Sequence, residues 1–288
     1  MSTSHQRCKL RTALSFAVLM ATGAASYAQT CEPQRVAAKY PEYAGKIVRI
    51  AATPTYPPFS YADPKDLTRV TGLEAEIIEG ALDCAGLKYE YIKGPWSGLL
   101  PTLFSGATDV MIGNVAYRAD RAERADFVLF MRNGQSVVVQ KGNPKKIMDL
   151  GSLCGKAAAA SIGGSSALEV ERQGNLCAEK GRPKVAMQPS VDQEAAFRQL
   201  SNSRIDFVMD GASSAAARLA AEKAPDFELA FTISTDIAAG PAVKKGNEPM
   251  LRVITDGMRV MEREGKLKAL MTKYGLSTDL LIPVEPRR

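Results

Sequence analysis

Two short stretches about a hundred positions apart follow one plan, and this repetition constrains the fold of the chain more than any other feature. Leu103-Phe-Ser-Gly-Ala-Thr-Asp109-Val-Met-Ile is matched by Leu200-Ser-Asn-Ser-Arg-Ile-Asp206-Phe-Val-Met, with a leucine six residues before an aspartate in each. In the first copy Leu99, Leu100, Leu103 and Phe104 fall at helical spacing and Gly106 can end the helix. Asp109 then leads the apolar run Val110-Met111-Ile112 into the loop Gly113-Asn114. The expectation is an α/β chain of two lobes of related construction. Strand ends in open α/β sheets are where ligands collect, so the loop from Gly113 to Arg121 is the first place to look for a site.

The remaining periodicities fit this plan. Lys46 to Ala52 reads as a strand, Glu74 to Ala85 as a helix stopped by Gly86, and Lys88 to Ile92 as a second strand. Ser136 to Gln140 reads as a strand able to cross between lobes, and Gly240 to Lys244 lies just past a return. The helical segments Met250 to Glu264 and Leu267 to Tyr274 would pack back on the first lobe. The boundaries expected are 29–137 for the first part of lobe 1, 138–234 for lobe 2 and 235–288 for the return segment.

At the N-terminus, Arg7, Lys9 and Arg11 precede an apolar segment from Ala13 to Ala21 and small residues ending in Ser26-Tyr27-Ala28. This is the pattern of a secretory signal peptide over 1–28, cut after Ala28. Gln29-Thr30 before Cys31 does not supply a lipobox. No later apolar stretch approaches the roughly 18 to 20 residues that a membrane-spanning helix requires. Cleavage leaves about 260 residues, ample for two lobes. It also removes three of the 37 basic residues and no acid, taking the net charge from +6 to +3, too mild to imply a nucleic acid partner.

The only histidine, His5, belongs to this leader. The processed chain therefore cannot run Ser-His or Cys-His nucleophilic chemistry or build a histidine metal site, and neither metal nor cofactor is expected. Cys31, Cys84, Cys154 and Cys177 remain as an even number suited to an oxidising compartment. Four cysteines allow three pairings. Cys31 with Cys84 and Cys154 with Cys177 is preferred, because each bridge then lies inside one expected lobe.

An ordered series of motifs now becomes specific. Tyr56-Pro57-Pro58-Phe59 follows the first strand, Gly72 opens a helix with an acid at Glu76, and Trp96 leads to Leu103. Arg121 precedes Asp126-Phe127, Gly155-Lys156 and Gly164-Ser165-Ser166 come next, and Arg204-Ile205-Asp206, Lys245-Gly246-Asn247 and Lys273-Tyr274-Gly275 complete the order. In this series the chain resembles the family 3 extracellular solute-binding proteins, the type II periplasmic binding proteins of polar amino acid ABC importers. The resemblance implies a two-lobed fold with two interlobe crossovers and a cleft that closes on one small carboxylate or amino acid. It also implies a monomer in the periplasm that docks on a membrane permease.

The resemblance places Arg121 at the carboxylate clamp, where a planar guanidinium can form two parallel bonds to a carboxylate. A surface ion pair with Asp120 or Glu123 is the plainer reading. Gly164 and Ser165 stand at the start of a helical pattern from Ala167 to Gln173, where exposed amides and a hydroxyl can face an anion or simply cap the helix. The resemblance puts Asn114 beside the ligand by its side chain and Ala116 by its backbone. It makes Tyr56, Phe59 and Trp96 the aromatics flanking the ligand, although an aromatic residue more often belongs to a core.

Three positions depart from the family pattern. The acid that holds a ligand ammonium falls at Gly211 in the family spacing, whereas here the acid is Asp210, one residue early. A one-residue shift turns a strand side chain to the opposite face unless a bulge corrects it. Arg118 replaces a threonine and is either a second positive charge for the ligand or a solvated loop residue. Thr53 stands where binders of basic amino acids tend to carry an acid, which argues against such ligands. Two other functions share the architecture: a periplasmic dehydratase of the cyclohexadienyl type, and a sensor or adaptor without transport. Because Trp96 is the sole tryptophan, ligand addition is expected to change the intrinsic fluorescence; an unchanged spectrum with a proven ligand would remove Trp96 from the site.

Overall fold

A computed structural model describes residues 30–221, 226–233 and 237–288. The expected leader and its cleavage point lie outside the described residues. Two sheets organise the chain. The first has seven strands, in the order Ala238–Ala239, Ala125–Arg132, Ala242–Lys244, Val110–Met111, Ile47–Ala52 and Lys88–Lys93, with Leu281–Arg287 also paired to Ala125–Arg132. The second has five, in the order Ala186–Ser190, Ala157–Ser161, Phe207–Gly211, Gln135–Gln140 and Phe227–Ile233.

The repeated sequence plan corresponds to a repeated structural unit. In each lobe a helix, Trp96–Ser105 or Gln193–Ser201, delivers a short strand that pairs in parallel with an earlier strand of that lobe. The two aspartates do the same work. Asp109 Oδ2 accepts the Arg49 amide at 2.9 Å, and Asp206 Oδ2 accepts the Ala157 amide at 2.9 Å. Their own amides donate back to Arg49 O and Ala157 O. Each pair closes the ladder where a strand enters the sheet and would otherwise leave backbone groups unsatisfied.

The central strands of both sheets, Ala125–Arg132, Gln135–Gln140 and Phe207–Gly211 among them, are buried on two faces, which explains continuous apolar runs rather than alternation. Phe127 and Leu129 face Leu99 and Leu103 of the Trp96–Ser105 helix, while Val128 and Phe130 face Ile77, Ile78 and Ile254 of the Leu73–Ala85 and Glu248–Arg263 helices. In the second sheet Val137, Phe207 and Met209 pack with Val170 and Cys177, and Val138 and Val208 with Phe197 and Leu200. Disulfides Cys31–Cys84 and Cys154–Cys177 form, each within one lobe. Glu76 accepts from Lys273 Nζ at 2.7 Å and from the Tyr274 hydroxyl, tying the C-terminal helix to the first lobe.

The first crossover falls at Asn133-Gly134, earlier than the expected boundary at 137. Gln135, Ser136 and Val137 pair with Gly211, Asp210 and Met209, so the second sheet already begins at Gln135. At Gly134 the returning chain comes so near that a Cβ would sit 2.7 Å from Ile233 O. Asn133 N donates to Ile237 O at 3.2 Å, and its Oδ1 accepts from Ser213, so one residue ties both crossovers to the helix that follows Gly211. The expected return boundary at 234/235 lies outside the described residues. The three-stranded sheet of Thr55–Tyr56, Ser60–Asp63 and Asp66–Thr71, and the proline-bearing strand Leu281–Arg287, carry no clear alternation and were not expected.

Gly257 supplies a test of the packing. A Cβ there would lie 2.5 Å from Ala81 Cα, so the Glu248–Arg263 and Leu73–Ala85 helices touch backbone to backbone. Alanine at a helical glycine ordinarily stabilises by about 1 kcal/mol. Gly257→Ala is expected to reverse that sign and lose about 1–3 kcal/mol through overpacking, read as a lower Tm and denaturation midpoint.

Candidate functional site

A cavity between the two lobes is lined from the first by Tyr56, Trp96, Asn114, Ala116 and Arg121, and from the second by Gly164, Ser165 and Asp210. Arg121 lies in the short helix Ala119–Ala122 and is only 2% exposed. Its Nη1 donates to Ala116 O at 2.8 Å, and its Nη2 reaches the other lobe to donate to Gly163 O at 2.6 Å. Nε has no hydrogen-bond partner. Among the described residues no carboxylate forms an ion pair with this guanidinium, since its neighbour Asp120 is held by Arg118 at 2.6 Å. Burial, helped by the Arg118 charge, pulls its pKa down to about 9. A cation so placed favours an anionic guest.

The loop before it is bent tightly. Gly113 and Asn114 both have positive φ, 121° and 56°. Asn114 Oδ1 is buried without a partner. Ala116 bridges to Ala239 of the return segment and offers its carbonyl to Arg121. Trp96 begins its helix after Pro95, and its ring lies 3.1 Å from the place a Gly113 Cβ would occupy. Tyr56 stands between aromatic neighbours, 6.0 Å from Trp96 and stacked at 5.6 Å on Phe59. Phe59 itself is fully buried behind Tyr56 and does not line the cavity, because the turn that presents one ring turns the other into the core.

On the second lobe Gly164 precedes the helix Ser165–Glu179, and the Ser165 hydroxyl is buried without a partner. Helix amides and hydroxyl thus form a positive end at the cavity wall. Arg118 is not among the lining residues. It pairs with Asp120 and places Nη1 3.4 Å from Gly163 O at the rim, so its charge is already matched within its own loop.

Asp210 answers the question raised by its spacing. Its pairing with Ser136, and that of Gly211 with Gln135, run without a bulge, so Asp210 lies on the same face as Val208. It still lines the cavity because it stands at the strand end, and Gly211 leaves room for the Tyr56 hydroxyl, which would be 2.8 Å from a Cβ there. Asp210 Oδ1 accepts the Gly211 amide at 2.7 Å, while Oδ2 lacks a partner. Burial pushes the carboxyl up to about 7 against the pull of Arg218, the Gly211 amide and the neighbouring Ser214 and Tyr56 hydroxyls. Burial, with the Asp210 charge beside it, likewise holds the Tyr56 phenol well above its usual range.

The lining also includes Thr53, Thr55, Asn133, Gln135, Ser161, Ser166, Asp192 and Gln193, of which Thr53 and, within the Gly164-Ser165-Ser166 motif, Ser166 were considered from sequence. Most are committed within the protein: Thr53 and Thr55 hydroxyls lie 3.0 Å apart, Ser166 donates to Gln135, and Gln193 joins Ser161 to Met209 O. Scattered amides and hydroxyls carry no motif. The one usable signal was Asp192, which caps the Gln193–Ser201 helix and so marks a helix start aimed at the cleft. Among the described residues no cluster of three or more acidic, cysteine or histidine side chains could hold a metal, and no helix is long and apolar enough to cross a membrane.

The fold and this cleft define a two-lobed binding protein. The family model for bacterial extracellular solute-binding proteins, family 3, matches residues 48–277, and the chain belongs to that family. It is 28% identical to the L-cystine-binding protein TcyJ of Escherichia coli (strain K12), over 76% of this chain and 79% of that protein. Among solved structures it is similar to an ancestral arginine-binding protein bound to arginine, with TM-score 0.71 and 25% identity over 79% of this chain and 97% of that one. It shares its fold with the ancestral amino acid-binding protein AncCDT-1, a precursor of cyclohexadienyl dehydratase, at TM-score 0.67 and 22% identity over 79% of this chain and 94% of that one.

The raised Asp210 carboxyl has a consequence for the ligand-free protein. Its folded pKa of about 7 exceeds the ordinary value of 3.8, so the folded state binds the proton more tightly than the unfolded state. The associated stability is fully present below about pH 4 and is lost as pH rises through about 7, a swing on the order of 4 kcal/mol. Glu74, raised by burial from 4.5 to about 7, adds a second loss of the same sign over nearly the same range. Asp210→Asn is expected to flatten the fall in Tm between pH 5 and 8, measured by calorimetry without ligand.

Proposed function

We propose that the protein is the periplasmic receptor of an ABC importer and captures an amino acid, or an amino-acid-like zwitterion, by closing its lobes around it. One observation carries this reading: a single cavity holds a buried guanidinium with no carboxylate partner and a buried carboxyl with an unpartnered oxygen. Those two groups match the carboxylate and the ammonium of the same small molecule. In this reading Arg121 Nε, the Ser165 hydroxyl and the helix start at Gly164 take the carboxylate. Asp210, with the Tyr56 hydroxyl, takes the ammonium, and the ligand cation lowers the Asp210 pKa as it binds. Asn114 bonds a polar edge of the ligand, while Tyr56 and Trp96 flank its side chain.

The lobes would move about the crossover at Asn133-Gly134 and the return of the chain to lobe 1, and the ligand would favour the closed state by the contacts it makes with both walls. Export by the leader, cleavage after Ala28, a monomeric state and docking on a membrane permease belong to the same reading. The named activities of the relatives, binding of cystine and of arginine, support an amino acid as guest. We read the protein as a binder rather than an enzyme, because Asp210 and Arg121 are both accounted for by binding roles.

Thermal shift with a panel of amino acids including L-cystine, L-arginine and L-glutamine at millimolar concentration is expected to raise Tm for at least one. Calorimetry with that amino acid is expected to show Arg121→Ala losing about 3–5 kcal/mol, about two to three and a half decades of affinity. No shift across the panel, or turnover of prephenate or arogenate, would overturn the reading.

A further inference from the structure

Glu74 is the second residue of the Leu73–Ala85 helix, and its side chain points into the protein rather than toward water. It is wholly buried and has no cationic partner among the described ion pairs. Its Oε2 accepts the backbone amides of Gly113 and of Asn114, the latter at 2.7 Å, and its Oε1 has no partner. Consecutive amides converging on one oxygen form a concave anion seat, here filled by the protein's own carboxylate. Glu76, two residues on, differs: it lies at the surface and meets Lys273 and Tyr274.

The seat belongs to the loop that builds the lobe 1 wall. Asn114 holds φ at 56°, in the left-handed region that asparagine enters more readily than most residues. Glu74, through the Gly113 and Asn114 amides, and the Trp96 ring beside Gly113 hold the loop in this form. The conformation aims Asn114 at the cavity with its Oδ1 unpartnered. Two residues further on, the Ala116 carbonyl holds Arg121 Nη1.

We propose that Glu74 is a positioning residue for the ligand: its carboxylate fixes the 113–116 loop in the one form that presents the Asn114 amide and, through Ala116, the Arg121 guanidinium to the guest. This rests on the reading of the cavity as an amino acid site. Above about pH 7, where Glu74 is ionised, a neutral acceptor in the same place holds the loop less firmly, because hydrogen bonds to an ionised oxygen are about twice as strong as neutral ones. An apolar side chain of similar length leaves both amides without an acceptor.

The test compares the full chain with Glu74→Gln, Glu74→Leu and, as a control for lost stability alone, Leu82→Ala in the core of the same helix. In the ligand-free proteins the Gly113 and Asn114 amide proton resonances are expected to move upfield, further in the leucine variant than in the glutamine one, and to stay in place in Leu82→Ala. Affinity for whichever of L-cystine, L-arginine or L-glutamine binds the wild type is expected to fall about ten- to hundredfold in Glu74→Leu and less in Glu74→Gln. Leu82→Ala is expected to lower Tm with affinity kept at temperatures where it is folded. If Glu74→Leu fails to fold, Glu74→Gln decides. Unmoved amides, or wild-type affinity in the Glu74 variants, overturns the assignment of Glu74 alone. A wild type that binds none of the three probes overturns the reading of the cavity, and with it the role of Glu74 toward a guest.

Discussion

A guanidinium taken out of water with no counter-ion among the described residues sets the terms for the rest of the molecule. Arg121 is fixed at two points, the Ala116 carbonyl on its own lobe and the Gly163 carbonyl on the opposite one. Two neutral dipoles orient a charge but do not neutralise it, and burial has already drawn its pKa down. The same side chain is therefore a part of the wall, a bridge across the cleft and a standing demand for an anion. The helix start at Ser165 adds to that demand from the opposite side, and Asp210 supplies a contrary charge farther along the cavity.

The supports behind these groups come from elements far apart in sequence. A helix near residue 74 sets a loop near 114, a crossover residue at 133 ties the return segment at 237 to the helix that follows Gly211, and a short loop at 118–121 reaches the glycine at 163. Each link is a side chain satisfying a backbone group or the reverse, which is how irregular chain is held at the ends of two sheets.

Much of this was legible in the chain because it depends on spacing. The leucine-to-aspartate echo reported a repeated unit, and the structure supplies its cause in the matching bonds of Asp109 and Asp206 to the strands beside them. Arg121, Gly164 and Ser165 were placed by motif order and stand in the cavity wall. What spacing could not deliver was the direction of individual side chains. Phe59 and Tyr56 lie three residues apart, yet one faces the core and the other the cleft. Arg118 and Arg121 share a loop, yet the first is matched by Asp120 and the second by no acid among the described residues. Asp210 sits off the family position on the other face, and only the end of the strand lets it reach the cavity. Glu74 looked like an ordinary helix start, because the amides it accepts lie about forty residues away.

Among the described residues, neither disulfide passes from one lobe to the other. One fastens the N-terminal segment to the Leu73–Ala85 helix, and the other fastens the loop at Cys154 to the Ser165–Glu179 helix. Covalent stiffening is thereby confined to the lobes, and the crossover at Asn133-Gly134 is held by hydrogen bonds rather than by a covalent tie. Disulfides so placed harden each lobe against unfolding while adding no covalent restraint between the two.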